Sequence, residues 1–234
     1  MTSESAANLL VTPEELAGES LRVEGDRYRH LFRARRLARD ERLRIVDGEG
    51  GARWAEVAAL DRRHAELRLL AAAPANDPAR RVDLVVAAPR PERAAWLVEK
   101  ATELGVYAVR FVSSERAVRG VDGKTLERLR RIAVAALEQC GGARLPELSG
   151  PHALGELPRL PTAGAWYLLD PMASETLPAG GDEAAAVLVG PEGGWSDQEV
   201  TMLAAAGASR VRLGERVLRV ETAAIAAAAL LLAS

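Results

Sequence analysis

The sequence predicts an α/β protein in which a small β-rich region precedes a larger domain with a mostly parallel sheet. Residues 1–72 contain short β-like runs between turn signals, and the stretch Ala71–Pro78 is rich in alanine and proline. From Val82 onwards, apolar strand-like runs alternate with helical patterns, as parallel strands require because each needs a crossover connection. We therefore expect an N-terminal domain at 1–72, a linker at 73–81 and a second domain at 82–234.

Three runs of apolar and branched residues predict strands in the N-terminal region. They are Leu43–Asp47, Trp54–Leu60 and His64–Leu70. Turn-forming residues separate them, and the prolines and small residues of the linker disfavour both helix and sheet. We therefore expect short β-strands in the N-terminal region.

The second domain is predicted from alternating elements. The predicted strands are Val82–Ala88, Val106–Val112, Ala165–Leu169, Ala184–Val189 and Ala208–Leu213. The predicted helices run from Pro91 to Gly105, over Thr125–Gln139, over Asp197–Ala206 and from Glu221 to Ala233. A proline suits a first helical turn and a glycine suits the left-handed position that ends a helix.

The segment Gly190–Gly194, here called the glycine loop, lies between a predicted buried strand and a helix start. Ser196 and Glu199 have the spacing of a capping box, which marks the N-terminus of that helix. A loop at the carboxyl end of a strand is where open α/β folds bind ligands. Its glycine spacing fits neither the dinucleotide-binding pattern nor the phosphate-binding loop of nucleotide hydrolases. A plain tight turn remains an alternative.

A second segment repeats the arrangement. The predicted strand Ala208–Leu213 leads into Gly214–Arg219, here called the distal loop, and then into the last helix. One helix separates the two strands, so the two loops are expected at the same edge of a parallel sheet. Two loops at one edge can form one pocket.

Composition narrows the function classes. The chain has 234 residues, of which 48% are hydrophobic and 27% charged, as in an ordinary globular protein. The apolar run Ala223–Ala233 is too short to span a bilayer, and residues 1–5 lack the features of a secretory signal. One cysteine and three scattered histidines predict neither a disulfide framework nor a metal site. We expect a cytoplasmic protein without a metal and without membrane contact.

The formal net charge of −2 hides a basic segment. Arginines occur at 27, 29, 33, 35, 36, 39, 42 and 44, against only Asp40 and Glu41 within the same stretch. A basic face of this kind can contact RNA phosphates. An arginine-rich but merely solvated surface is the alternative, and the sequence alone favours neither.

The motifs resemble those of the RsmE family. The resemblance rests on Leu188–Gly194 and Leu213–Ala223, with further matches at His30–Arg33, Leu43–Gly48, Glu99–Gly105, Ser114–Arg116 and Glu138–Gly141. It implies a SPOUT-class methyltransferase that uses S-adenosylmethionine to methylate N3 of one uridine in 16S ribosomal RNA. It also implies a PUA-like β-barrel in front, a C-terminal trefoil knot and a homodimer.

The resemblance implies a methyl-donor pocket formed by both loops and the end of the Ala165–Leu169 strand. Its expected residues are Leu168, Leu169, Gly190, Pro191, Glu192, Gly193, Gly194, Leu213, Gly214, Val217, Leu218 and Arg219. The leucines at 213 and 218 could instead be core residues.

Arg219 and Glu221 are the candidate catalytic residues. Loss of the N3 imide proton leaves charge on the flanking carbonyl oxygens, and the fixed guanidinium of Arg219 could stabilise it. Glu221 could accept the proton or orient Arg219, although a carboxylate at a helix start is also favourable without any catalytic role.

Candidate RNA contacts are Arg33, Arg35, Arg36, Arg90, Arg93, Arg116 and Arg144. The chain departs from the family near Asn8, where an arginine is expected, and at Gly142, where the family usually has arginine. Both departures affect expected RNA contacts and leave the donor pocket intact. A methyltransferase for another RNA and a non-enzymatic RNA-binding protein therefore stay open as alternatives.

Overall fold

The computed structural model describes residues 4–34, 36–117, 121–161, 164–181 and 183–233, and it leaves the side chains of 4–7, 33 and 34 undescribed. The chain divides into two compact units. The first comprises Met1–Asp77 with Val134–Leu145, and the second comprises Pro78–Ala133 with Pro146–Ser234.

The first unit contains a five-stranded mixed sheet that curls into a half-barrel. Its strands are β1 (Glu4–Leu10), β2 (Ser20–Glu24), β3 (Arg42–Val46), β4 (Ala52–Leu60) and β5 (His64–Ala72), in the order β1-β3-β4-β5-β2. Strand β1 pairs parallel with β3, and the other pairs are antiparallel. Side chains from all five strands contribute to one apolar core.

Short helical segments accompany this sheet. Helix α1 (Pro13–Ala17) begins with a capping box, in which Thr12 Oγ1 accepts a hydrogen bond from the Glu15 amide at 3.2 Å and Glu15 Oε2 accepts one from the Thr12 amide at 2.8 Å. Helix α2 (Gly25–Tyr28) continues into a π-helical segment, Arg29–Ala34. The predicted strands β3, β4 and β5 are confirmed, whereas β1 and β2 were not predicted.

The second unit contains a six-stranded parallel sheet. Its strands are β6 (Val82–Ala87), β7 (Ala108–Ser113), β8 (Glu147–Ala153), β9 (Ala165–Leu169), β10 (Ala185–Val189) and β11 (Ala208–Val211), in the order β11-β9-β10-β6-β7-β8. All five pairings are parallel. Strands β6 and β10 are buried along their whole length, so the centre of the sheet is covered on both faces. The α/β prediction is confirmed.

The helices in this part of the chain are α3 (Pro91–Glu103), α4 (Gly123–Cys140), α5 (Asp197–Ala205) and α6 (Val220–Leu232). The division between the two units falls within α4. Helix α6 packs against α3 and against strands β6 and β10. Gly105, at φ +75°, follows the end of α3 as predicted.

In the second unit, two strands differ from the sequence prediction. The strand predicted at Ala208–Leu213 ends at Val211, because Arg212 leaves the sheet to pair with Thr176. Strand β8 was not predicted, since Gly150 and Pro151 within it are typical of turns. The trefoil knot that the resemblance implies stays a prediction. The last strands and helices nevertheless place both predicted loops at the carboxyl edge of the sheet.

Candidate active site

A cavity of about 320 Å³ lies at the carboxyl ends of β9 and β10. The residues just after β11 and the first turn of α6 complete its wall. This is the edge at which parallel α/β sheets bind ligands, and the volume is within the usual range for small-molecule sites. The expectation that the two loops meet at one pocket is confirmed.

The glycine loop is packed closely against the unit's core. A Cβ atom added at Gly190 would lie 2.9 Å from Nε1 of Trp195, whose ring is buried among core residues of β6, β9 and β10. Gly194, at φ +71°, donates a backbone hydrogen bond to Pro191 O at 2.8 Å and thereby closes a turn. Glycine at both positions thus allows the backbone to approach its neighbours and adopt the turn.

The capping box predicted after the glycine loop is confirmed. Ser196 Oγ accepts a hydrogen bond from the Glu199 amide at 3.2 Å, and Glu199 Oε2 accepts one from the Ser196 amide at 2.8 Å. The other oxygen of Glu199 accepts a hydrogen bond from the Glu115 amide at 2.9 Å, in the segment after β7. One buried carboxylate therefore fixes both the start of α5 and a neighbouring loop.

The distal loop, unlike the closely packed glycine loop, is exposed to solvent. All six of its residues are exposed, with Val217 80% and Leu218 39% accessible. Before it, Arg212 is fixed by backbone hydrogen bonds with Glu175 and Leu177. In the described chain, the side chains of the loop make no hydrogen bond or ion pair. The distal loop therefore forms an open, partly apolar rim of the cavity.

Most of the residues expected to bind the donor line this cavity. They are Leu169, Gly190, Pro191, Glu192, Gly194, Leu213, Gly214, Val217 and Leu218. Leu168 is instead fully buried in the core below, Gly193 faces Arg116, and Arg219 lies exposed at the start of α6.

Several lining residues were not identified from the sequence. They are Asp170, Pro171, Met172, Val189, Trp195, Val200, Arg212, Arg216, Val220 and Ala223. The first three directly follow β9, so the rule that sites gather at carboxyl ends of parallel strands could have identified them. The Asp170 carboxylate accepts hydrogen bonds from Arg210 Nε at 3.0 Å and from the Met172 amide at 2.8 Å, which shape this wall.

The two candidate catalytic residues have different surroundings. Arg219 is the N-cap of α6, its side chain is exposed, and it makes no side-chain hydrogen bond to any described residue. Glu221 is 8% exposed, and its Oε1 lies 3.6 Å from Arg93 Nε. Its Oε2 is buried without a hydrogen-bond partner in the described structure. Glu221 is thus paired with Arg93, and no side-chain hydrogen bond or ion pair joins it to Arg219.

Arg93 and Arg116, both candidate RNA contacts, reach the glycine loop. The Arg93 guanidinium pairs with Glu192 in that loop as well as with Glu221. Arg116 Nη1 donates hydrogen bonds to Gly193 O at 2.9 Å and to Trp195 O at 3.4 Å. Arg90 differs from both: its exposed side chain makes no hydrogen bond or ion pair with any residue that the structure describes, and it borders a smaller cleft beside the cavity.

The arginines of the first unit are also not equivalent. Arg44 is 8% exposed and donates hydrogen bonds to Gly141 O at 2.6 Å and Pro74 O at 2.5 Å. Burial lowers the pKa of its guanidinium, an effect that the nearby Asp77 opposes. Arg44 therefore cannot belong to a basic surface, and the predicted face of eight arginines is wrong at this position.

The remaining candidate RNA contacts lie in the same unit. Arg36 is exposed at φ +57°, and Arg144 lies beside Gly50 with its amide bonded to Asp77 Oδ1 at 3.2 Å. The side chain of Arg33 and the whole of Arg35 lie outside the described residues. Arg36 is thus the candidate here with a described, exposed side chain.

The described residues show neither a membrane-spanning helix nor a metal-binding cluster. No helix among them is long and apolar enough to cross a membrane. They also contain no cluster of three or more histidine, cysteine, aspartate or glutamate side chains suited to a metal ion.

Comparison with known proteins gives concordant matches. A family profile described as "RNA methyltransferase domain" matches residues 76–232, and one described as "RNA methyltransferase PUA domain" matches residues 23–70. Ribosomal RNA small subunit methyltransferase E of Mycobacterium bovis is 35% identical over 88% of this chain and 83% of its own length. The Synechocystis sp. protein of that name is 30% identical over 93% of this chain and 74% of its own length.

A solved structure extends this likeness to three dimensions. The Neisseria gonorrhoeae ribosomal RNA small subunit methyltransferase E, bound to S-adenosyl methionine, superposes with a TM-score of 0.83 at 28% identity. The match covers 98% of this chain and 96% of that one.

Proposed function

The chain belongs to the family of ribosomal RNA small subunit methyltransferase E, and from this premise we propose that it methylates N3 of a uridine in 16S ribosomal RNA. The methyl donor in this proposal is S-adenosylmethionine. The family match supports the reaction class, and the uridine-N3 specificity comes from the family resemblance. The observation that carries the proposal is the two-loop cavity at the carboxyl edge of the parallel sheet.

The residues around the cavity fit a nucleoside-like donor. Gly194 and Gly214 have open space where a side chain would project, so a ligand can approach their backbone closely. Leu169, Leu213 and Leu218 supply apolar walls for a flat base, which backbone amides can recognise without charged side chains. The buried Nε1 of Trp195 is a hydrogen-bond donor without a partner in the described structure.

Arg219 is the proposed electrostatic catalyst. When bound, S-adenosylmethionine supplies an already activated methyl group, so the protein needs to bind, align and stabilise charge. The guanidinium of Arg219 has no competing partner among the described residues and stands at the start of α6, which borders the cavity. We propose that it contacts the carbonyl oxygens beside N3 as negative charge develops. For Glu221, the ion pair with Arg93 supports a positioning role.

The test has two stages. Calorimetry with S-adenosylmethionine should give a single site per chain, and purified protein should transfer radiolabelled methyl groups to small subunits from a strain lacking the gene. Mapping the modified nucleotide should then identify N3 of a uridine in 16S rRNA. Methylation of another RNA would support the second candidate reaction, and a lack of donor binding would favour a non-enzymatic RNA-binding role.

Four further features belong to the same proposal. We propose that the two domains comprise residues 1–72 and 82–234, with a linker at 73–81. We also propose that Arg36 and Arg90 contact RNA phosphates, because both side chains are exposed. We also propose a homodimer, which sedimentation equilibrium would test. A cytoplasmic location follows from a ribosomal substrate, and cell fractionation would test it.

A further inference from the structure

Two arginines reach the glycine loop from two different parts of the second unit. Arg93 lies in α3, and Arg116 lies in the segment after β7. Both were expected to contact RNA phosphates. In the structure, their guanidinium groups instead contact the loop that forms one wall of the cavity.

Arg93 links the loop to α6. Its side chain, 28% exposed, pairs with Glu192 through Nη1 and lies 3.6 Å from Glu221 Oε1 through Nε. Glu221 is buried, so its charge depends on this guanidinium for compensation. The result is a continuous ionic connection from α6 through α3 to the glycine loop.

Arg116 holds the loop by a different chemistry. It donates to the backbone carbonyls of Gly193 and Trp195, at 2.9 and 3.4 Å, rather than to a carboxylate. A Cβ atom added at Gly193 would lie 3.4 Å from the Arg116 side chain, so any larger residue at this position would be in contact with the arginine. Arg116 therefore fixes the end of the loop, while Arg93 fixes its middle.

The glycine loop needs such support because three of its five residues are glycines. Glycine has the largest backbone freedom to lose on ordering, and a ligand that must order a loop binds more weakly. We propose that Arg93 and Arg116 are positioning residues that hold the glycine loop in its donor-binding conformation. This inference rests on the proposed function, because it assumes that the cavity binds S-adenosylmethionine.

A role in positioning the loop and a role in contacting phosphates can be distinguished by measuring donor affinity and the salt dependence of RNA binding. A positioning residue affects the affinity for the methyl donor, and it leaves the salt dependence of RNA binding unchanged. A phosphate contact does the reverse: each one lost reduces the slope of log affinity against log salt by roughly 0.7 to 0.9.

The experiment compares Arg93→Met and Arg116→Met with Lys100→Met. Lys100 is the matched control, since it also lies in α3, is 30% exposed and pairs with two carboxylates, Glu99 and Glu103, both within the same helix. We expect the dissociation constant for S-adenosylmethionine, measured by calorimetry, to rise roughly tenfold for Arg93→Met and roughly threefold for Arg116→Met. Lys100→Met should bind the donor as the parent protein does.

Two further variants separate positioning from loss of folding. Arg93 contacts Glu192 through Nη1 and Glu221 through Nε, and Arg93→Lys replaces these two nitrogens with a single ammonium group. This variant keeps the charge, so it should retain the thermal unfolding midpoint and lose part of the donor affinity. Glu221→Gln should weaken donor binding as well, whereas a proton acceptor would lose turnover with donor affinity intact.

Distinct results would overturn the inference and the proposed function. If the parent protein binds no S-adenosylmethionine, the proposed function fails. If the parent protein binds S-adenosylmethionine and both methionine variants bind it with the same affinity as the parent, the inference fails and the proposed function stands. A reduced salt slope for RNA with unchanged donor affinity would assign both arginines to phosphate contacts.

Discussion

The two loops of the cavity differ in how the rest of the unit holds them. The glycine loop is fixed from three sides, by the buried Trp195 ring, the Arg93 ion pairs and the Arg116 hydrogen bonds. The distal loop is exposed throughout, and the hydrogen bonds to described residues that hold it lie at its ends, at Arg212 and in the first turn of α6. One wall of the cavity is therefore preorganised, and the other can adjust.

This difference suggests a division of tasks. A fixed wall lowers the entropic cost of binding a small ligand. An exposed wall that carries exposed side chains, such as Arg219, can instead respond to a large partner that approaches from solvent. Substitutions in the glycine loop should therefore affect stability and donor binding, and substitutions in the distal loop should affect catalysis and binding without affecting stability.

The largest effect is expected for Arg219→Ala. We expect kcat to fall about 100- to 1,000-fold, because a donor to the developing anion is lost. Donor affinity and unfolding temperature should stay close to those of the parent protein. Removing a cation from a helix N-terminus does not weaken the helix, and the side chain has no partner among described residues. Turnover within a few fold of the parent would remove Arg219 from the mechanism.

A smaller effect is expected for Gly190→Ala. The new methyl group would meet Trp195 Nε1 at 2.9 Å, and the ring cannot move freely because it is 8% exposed in the core. Overpacking of this kind costs about 1–3 kcal/mol in the free energy of unfolding, which urea denaturation would measure.

Gly214→Ala is the matched control in the distal loop. A Cβ atom there meets nothing within 4 Å, so the free energy of unfolding should change by less than about 0.5 kcal/mol. Donor affinity should still fall, because the methyl group would occupy space through which the proposed ligand approaches the backbone of Gly214. Equal destabilisation by the two alanines would contradict the contrast between the loops.

The smallest effect is expected for Leu218→Ala. This side chain lines the cavity but is 39% exposed without a ligand, so its loss should leave the unfolding temperature nearly unchanged. If the donor covers it, the lost apolar contact should weaken donor binding by about 1 kcal/mol, or roughly fivefold. Calorimetry would measure this, and an unchanged affinity would place the donor away from Leu218.

Local sequence patterns predicted much of the second unit. The branched apolar runs of β6 and β10 and the Ser196–Glu199 capping box depend on neighbours within one element, so they could be identified directly. Strands β1 and β8 could not be identified from the sequence in this way. Glu4–Leu10 carries no clear alternation, and Glu147–Ala153 contains a Gly-Pro pair; each becomes a strand by pairing with β3 or β7.

The residues of the site can also be separated into those that the sequence predicted and those whose roles depended on the tertiary structure. The chain order of strands, loops and helix starts was enough to place the glycine loop and the distal loop at one edge, because parallel strands all point the same way. The partners of the arginines depended on the tertiary structure. Arg44 is buried among backbone carbonyls, Arg93 joins Glu192 to Glu221, and Arg219 has no side-chain partner within the described part of the chain. An arginine side chain is long and can pair with any acceptor within reach, so its role depends on which segments the fold brings next to it.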